Sequence, residues 1–147
     1  MEEIKQKEGG LEMEKDFEKI AQENLANWFT ALHTGDPEKM REIYLSGCTF
    51  FPTLDPNLRK GTDAAVDYFA NHFMPKNPFG KKLSTSESID KISEDEIFHV
   101  GHYVFEIDGE KDQRKTVPAR FVFRWKKTTD RKWGILHHSS DKLPETH

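Results

Sequence analysis

The feature that most constrains this chain is a change of period at "KNPFG", residues 76–80. Before it, Phe17, Ile20, Ala21, Leu25, Trp28, Phe29 and Leu32 recur at threes and fours, the repeat of a helix with one broad apolar face. After it, apolar and polar residues alternate, the repeat of strands. The first helix is expected from about residue 13 to "HTGDP", where Gly35 suits a left-handed cap. Asp36 and Pro37 suit the start of a second helix, reaching about Leu45 and burying Met40, Ile43 and Tyr44. "CTFFPTL" reads as a short strand, and "DPNLRKG" as a turn with a partner strand. "GTDAAVDYFANHFMP" reads as a third helix, capped by Thr62 or Asp63 and ended by Pro75. It carries Ala65, Val66, Phe69 and Phe73 on one face. Strands are expected over 83–92, 96–107, 115–127 and 132–139, with turns at Asp108-Gly109 and "TTDR". Helices followed by a strand meander predict an α+β domain with its helices on one face of an antiparallel sheet. Residues 1–12 are charged and broken by Gly9-Gly10, which predicts a loose tail before one domain over 13–147.

Composition narrows the function. The 147 residues carry a net charge of −4, which offers no general field for nucleic acid or an acidic membrane. No stretch approaches the roughly 20 apolar residues of a membrane span, and "MEEIKQKEGG" has no signal-like apolar run. Cys48 is the single cysteine and cannot form an internal disulfide, so a cytoplasmic location is expected. It is expected to be buried and inert. Eleven Phe, three Trp and three Tyr supply enough ring area to wall a core or a pocket.

Candidate chemistry concentrates in "WGILHHSS", residues 133–140. Neighbouring strand residues point to opposite faces, so His137 and His138 cannot both grip one ion. No Cys/His or H-x-H spacing supplies other ligands, so no metal is expected. His137 would lie with Trp133 and Ile135, and His138 with Gly134 and Leu136. Which face meets the interior depends on register. With "TTDR" as a symmetric loop, His137 lies opposite Val122 and shares a face with Arg120, Arg124 and Trp133. Slipped by one residue, it joins Phe121, Phe123 and Trp125. Arg120 and Arg124 alternate with these rings and are expected at an interface or against an anion. Asp55, Asp95 and Asp108 sit at predicted turns, where carboxylates are solvated. Ser139-Ser140 lack the context of a nucleophile elbow and are expected to satisfy backbone groups at the strand end.

Taken in order, "WFTALHTGDPEKMREIYLSGCTFFPT", "GHYVF", "PARFVFRWKK" and "KWGILHHSS" resemble the nuclear transport factor 2-like superfamily. Within it they are most similar to the SnoaL-like proteins and the association (hub) domain of calcium/calmodulin-dependent protein kinase II, over about Phe17 to Pro144. The resemblance implies a cone: a strongly curved antiparallel sheet around a long first helix, with a pocket at the wide end. It also implies self-association through the sheet. It does not imply one activity, since the fold hosts isomerases, cyclases, dehydratases, transport factors and hubs. Aligned without gaps from Tyr103 to Trp125, the hub's pocket arginines fall at Tyr103 and Phe123, so a more apolar ligand is expected here. The pocket is expected to draw on Tyr103, His137, Trp28, Tyr68 and Phe123. No G-x-G-x-x-G appears, and no cofactor is expected. The expectation is a self-associating domain whose aromatic pocket takes a small, largely apolar molecule. The alternatives are a cofactor-free acid–base enzyme using His137 as base and Tyr103 as donor, and a protein-association hub.

Overall fold

A computed structural model describes the backbone of residues 2–144 and the side chains of residues 16–144 other than Thr85. Helix α1 spans Glu2–His33, α2 spans Glu38–Arg41 and α3 spans Thr62–Tyr68. The strands are β1 (Tyr44–Phe51), β2 (Arg59–Lys60), β3 (Phe79–Ser93), β4 (Glu96–Asp108), β5 (Arg114–Lys127) and β6 (Trp133–Lys142). Helix α1 begins at Glu2 rather than near residue 13, so its backbone runs through residues 2–12, where a loose tail is expected from the sequence. No helix among the described residues is long and apolar enough to cross a membrane.

The six strands form one sheet in the order β2-β1-β6-β5-β4-β3. All neighbours are antiparallel except β1 and β6, which run parallel, so the sheet is mixed rather than wholly antiparallel. Its inner face is set by alternation: Ile97, His99, Tyr103, Phe105 and Ile107 on β4 are buried, as are Val117, Ala119, Phe121, Phe123 and Trp125 on β5. Helix α1 supplies Phe17, Ala21, Leu25, Trp28 and Leu32 to the same core, spaced as one helical face requires. Burying each large apolar side chain contributes about 1.5–3 kcal/mol, so this seam holds the fold together.

Local chemistry sets the element ends. Gly35 takes φ 71°, as a left-handed cap requires, and Asp36 Oδ1 accepts from the Glu38 N–H at 3.0 Å. The second helix ends at Arg41 rather than about Leu45, and Tyr44 opens β1 instead. It is buried as expected, but from a strand. The third helix stops at Tyr68 and continues as one π turn, Phe69–Phe73, then a 3₁₀ turn through Pro75. Both Phe69 and Phe73 face the core from this turn.

Two irregularities position the site. Between Arg124 and Trp125 the β5–β6 register shifts: Trp125 opposes Ile135, yet Arg124 opposes His137. Leu136 is therefore an extra residue, a bulge that inverts the facing of everything after it. Between Leu83 and Glu87 the β3–β4 register also shifts.

Gly80 lies where two rings converge. A Cβ there would meet Phe105 Cδ1 at 2.7 Å and Phe29 Cε1 at 2.9 Å. Gly80→Ala is expected to lower unfolding stability by about 1–3 kcal/mol through overpacking, read from urea denaturation. A variant as stable as the wild type would show that these rings move aside freely.

Candidate functional site

The bulge at Leu136 decides which histidine enters the interior. Before it, Trp133 and Ile135 face inward; after it, His138 and Ser140 do, while His137 and Ser139 face out. His138 is 1% exposed. Its ring lies between Phe123, with centroids 4.1 Å apart, and Phe50, at 4.7 Å, stacked with both.

Five side chains link to this imidazole in one hydrogen-bonded chain. The Trp28 Nε1–H donates to Tyr44 Oη at 3.0 Å. Tyr44 Oη lies 2.8 Å from His138 Nδ1, and Tyr103 Oη lies 3.1 Å from His138 Nε2. Tyr103 donates to Ser140 Oγ, which also bonds Thr53 Oγ1. An indole N–H can only donate, so Tyr44 accepts from Trp28 and passes its own proton to His138 Nδ1. His138 is thereby assigned the Nε2–H tautomer, and its proton points at Tyr103. The opposite tautomer would leave the Tyr44 hydroxyl proton without an acceptor. The chain runs one way from the Trp28 indole as far as Ser140, where Thr53 joins it.

Thr53 and Ser140 open on a surface pocket of about 590 Å³ between residues 51–56 and 139–142. Its walls include Phe51, Pro52, Leu54 and Pro56, with Asp141 and Lys142 at the rim. Asp55, also on the wall, is occupied by Arg59 Nε at 2.8 Å and by the Asn57 backbone N–H at 3.0 Å.

Burial governs the protonation of the chain. It holds the His138 imidazole well below its ordinary range, with His137 a lesser cause. It pushes the Tyr44 and Tyr103 phenols well above theirs, against the lowering effect of their hydrogen bonds. At neutral pH every member is uncharged. With both imidazole nitrogens engaged, the chain orients hydroxyls toward the pocket and leaves no free lone pair on His138.

A second interior network sits on β3 and β4. Trp125 Nε1–H donates to His99 Nδ1 at 3.2 Å, so His99 donates from Nε2 to Glu87 Oε2 at 2.8 Å. Gln22 Nε2 and Lys82 Nζ reach the other Glu87 oxygen at 2.8 and 3.1 Å. Burial lowers the His99 pKa, partly offset by Glu87. Burial would raise Glu87, yet His99, Gln22 and Lys82 together bring it below its ordinary range. The two networks touch through rings: Phe123 stacks on Trp125 at 4.5 Å and on His138 at 4.1 Å.

Of the residues expected in a pocket, Trp28, Tyr68, Tyr103 and Phe123 lie in the interior, each 1% exposed or less. Tyr68 accepts from the Leu54 N–H at 3.3 Å, beside the pocket. His137 does not join them. It faces out, half-buried, with Nδ1 2.6 Å from Thr49 Oγ1 and Nε2 2.6 Å from Ser139 Oγ. Partial burial and then Arg124 lower its pKa. The pairing of His137 with Tyr103 is therefore corrected: they lie on opposite faces, and the imidazole beside Tyr103 is His138. Neither simple register holds, because the bulge lies between them. Arg124 bonds Glu96 Oε2 through Nε at 3.0 Å and Nη2 at 2.8 Å, and Arg120 is exposed on the same outer face. Sequence reasoning missed Tyr44, Thr53, Ser140, His99 and Glu87. Among the described residues no group of three or more His, Cys, Asp or Glu is placed to hold a metal ion.

Residues 17–144 match the calcium/calmodulin dependent protein kinase II association domain family. The chain belongs to that family. A protein from Xanthomonas campestris described as such an association domain is 28% identical, with a TM-score of 0.76 over 83% of this chain and 84% of that one. A nuclear transport factor 2-like superfamily protein from Salmonella enterica is 14% identical, with a TM-score of 0.75 over 90% and 95%. Hexachlorocyclohexane dehydrochlorinase LinA-type3 from Novosphingobium barchaimii is 14% identical, with a TM-score of 0.70 over 86% of each chain. The last two share the fold alone. No curated protein matches the chain.

Two predictions follow from the buried imidazoles. His138→Phe keeps a ring in the stack but leaves the Tyr44 proton without an acceptor, so a loss of about 1–3 kcal/mol is expected in urea unfolding. His99, His137 and His138 all have lowered pKa values in the folded chain. The unfolded chain therefore binds more protons below about pH 6.5, where a free histidine titrates. Stability should be full above that pH and fall as pH drops, by up to about 1.4 kcal/mol per pH unit per histidine. His138→Phe should show a shallower fall than the wild type between about pH 7.5 and 5.5; equal slopes would contradict the assignment.

Proposed function

We propose that this chain is a self-associating, non-catalytic domain that buries its outer sheet face against further copies and takes a small, largely apolar molecule at the mouth pocket. The observation that carries the reading is the outer face. Phe98, Val100 and Val104 on β4, Val122 on β5, Leu136 on β6 and Phe51 on β1 are half-buried or exposed there rather than replaced by polar residues. Phe51 is 42% exposed. Across the register, Val100, Val122, Ser139 and Phe51 make one row, flanked by rows bearing Arg124 with His137 and Arg120 with Asp141. An apolar centre with a polar rim is the composition of a protein interface. Membership of an association-domain family points the same way. The single cysteine, buried and free, fits a cytoplasmic location within this reading.

The mouth pocket supports the ligand part. Its walls set the apolar Phe51, Pro52, Leu54 and Pro56 beside about as much polar surface, and the Ser140–Thr53 pair supplies polar contacts that can fix a small molecule. Acid–base catalysis is the second reading, favoured by the chain that joins an interior imidazole to this pocket. Against it, both nitrogens of His138 are occupied and the named base–donor pair, His137 and Tyr103, is split across the sheet.

Light scattering of the purified chain should give a mass of at least twice the monomer, and Val122→Asp should reduce it to the monomer with an unchanged circular dichroism spectrum. A wild type that stays monomeric at high concentration would sink the self-association reading. For the pocket, 1-anilinonaphthalene-8-sulfonate fluorescence should rise on binding and weaken several-fold in Thr53→Val, while its persistence unaltered would remove the pocket from the proposal.

A further inference from the structure

We infer that the outer face joins a second copy of this chain through a reciprocal ion pair, Arg120 of each copy with Asp141 of the other. The inference rests on the self-association reading and says which charges give that interface its geometry. Arg120 and Asp141 are direct cross-strand partners on β5 and β6, and both are exposed on the outer face. Among the described residues neither side chain makes a hydrogen bond or an ion pair, although the two backbones face each other in the ladder. The other outer-face arginine, Arg124, is committed to Glu96 at 2.8 Å, and Arg41, Arg59 and Arg114 each hold a carboxylate as well. One cation and one anion thus stand side by side and unspent at the edge of an apolar row.

They border a cleft of about 400 Å³ whose floor is Val100, Gly101, Phe121 and Val122. Gly101 lets the strand lie close over the core there: a Cβ would lie 2.8 Å from Phe121 Cζ and 3.2 Å from the Ser86 carbonyl oxygen. Its wall carries Arg120, Asp141 and Glu87, the last already held by Lys82 and His99, so Arg120 and Asp141 remain to meet a surface carrying both signs.

A second copy supplies that surface. A two-fold contact is self-complementary: if residue i meets residue j, then j meets i. With the axis parallel to the strands and between β5 and β6, β5 of one copy lies over β6 of the other at the same row. Arg120 then meets the second copy's Asp141 at one side of the axis, and the pair repeats at the other. The four charges neutralise one another beside the apolar row formed by Val100, Val122 and Ser139. A two-fold axis along that row would instead set Arg120 over the second copy's Arg124, a like-charge arrangement that electrostatics disfavours. The ion pair therefore selects one packing of the sheets over the other.

Sedimentation velocity on the full chain tests this by charge exchange. Both residues are exposed, so the fold is not at stake, and circular dichroism verifies it in each variant. Arg120→Glu and Asp141→Arg should each weaken the dimer by about tenfold or more, because each sets like charges against each other. The double variant R120E/D141R should return to within about threefold of the wild type, since the two effects cancel when the residues are partners. If the wild type is dimeric but the single variants dimerise normally, or the double variant is as weak as its singles combined, the pairing is overturned while self-association stands. If the wild type is monomeric throughout, the self-association reading itself fails and the pairing with it. A monomeric chain in which benzoate titrates the Arg120 resonances would hand the cleft to a small carboxylate, and would also overturn the pairing.

Discussion

The interior of this protein depends on one hydrogen bond, from the Trp28 indole to the Tyr44 hydroxyl at 3.0 Å. An indole has a proton to give and no acceptor, so it fixes the polarity of every group beyond it. Tyr44 must accept, His138 must take the Tyr44 proton at Nδ1, and Tyr103 must receive from Nε2. In a dry interior an unpaired polar atom is costly, and a chain in which each proton has one destination avoids that cost throughout. Trp28 also lies against Phe69, Tyr103, Phe105, Phe123 and the His138 ring, so the residue that sets the hydrogen-bond direction is also central to the aromatic packing.

The same device appears a second time. Trp125 donates to His99 Nδ1, and His99 turns its remaining proton on Glu87. In both cases a donor-only ring holds an imidazole in one tautomer and keeps it neutral. The consequences differ because the ends differ. The His99 network closes on a carboxylate held by Gln22 and Lys82, which ties α1 to the irregular part of β3. The His138 network opens through Ser140 and Thr53 on a surface pocket. One end reads as a latch and the other as the edge of a binding site.

How much of this could be read from the chain varies with how local the deciding contact is. The change of period at residues 76–80 placed the helices and strands in order, and alternation along β5 put Phe121, Phe123 and Trp125 on one face and Arg120 and Arg124 on the other, as the sheet does. Tyr44 was misplaced on a helix because "EKMREIYL" has a helical apolar spacing, and its strand state comes from pairing with β6. Ser140 looks like an end-of-strand serine until Tyr103 is set beside it, 37 residues away in the chain. His99 is one of an alternating series, and only the neighbouring indole distinguishes it from any buried strand residue.

The adjacent histidines show the division most clearly. Alternation by itself established that His137 and His138 face opposite ways and cannot clamp one metal ion. It could not say which faces the interior, because that depends on a one-residue bulge at Leu136. The bulge arises where β6 pairs with β5 on one side and runs parallel to β1 on the other, and β1 itself shifts register between Tyr44 and Thr49. Side-chain periodicity is a property of one strand and can be read along it. Register is a property of strands brought together from distant parts of the chain, and only the folded sheet decides it.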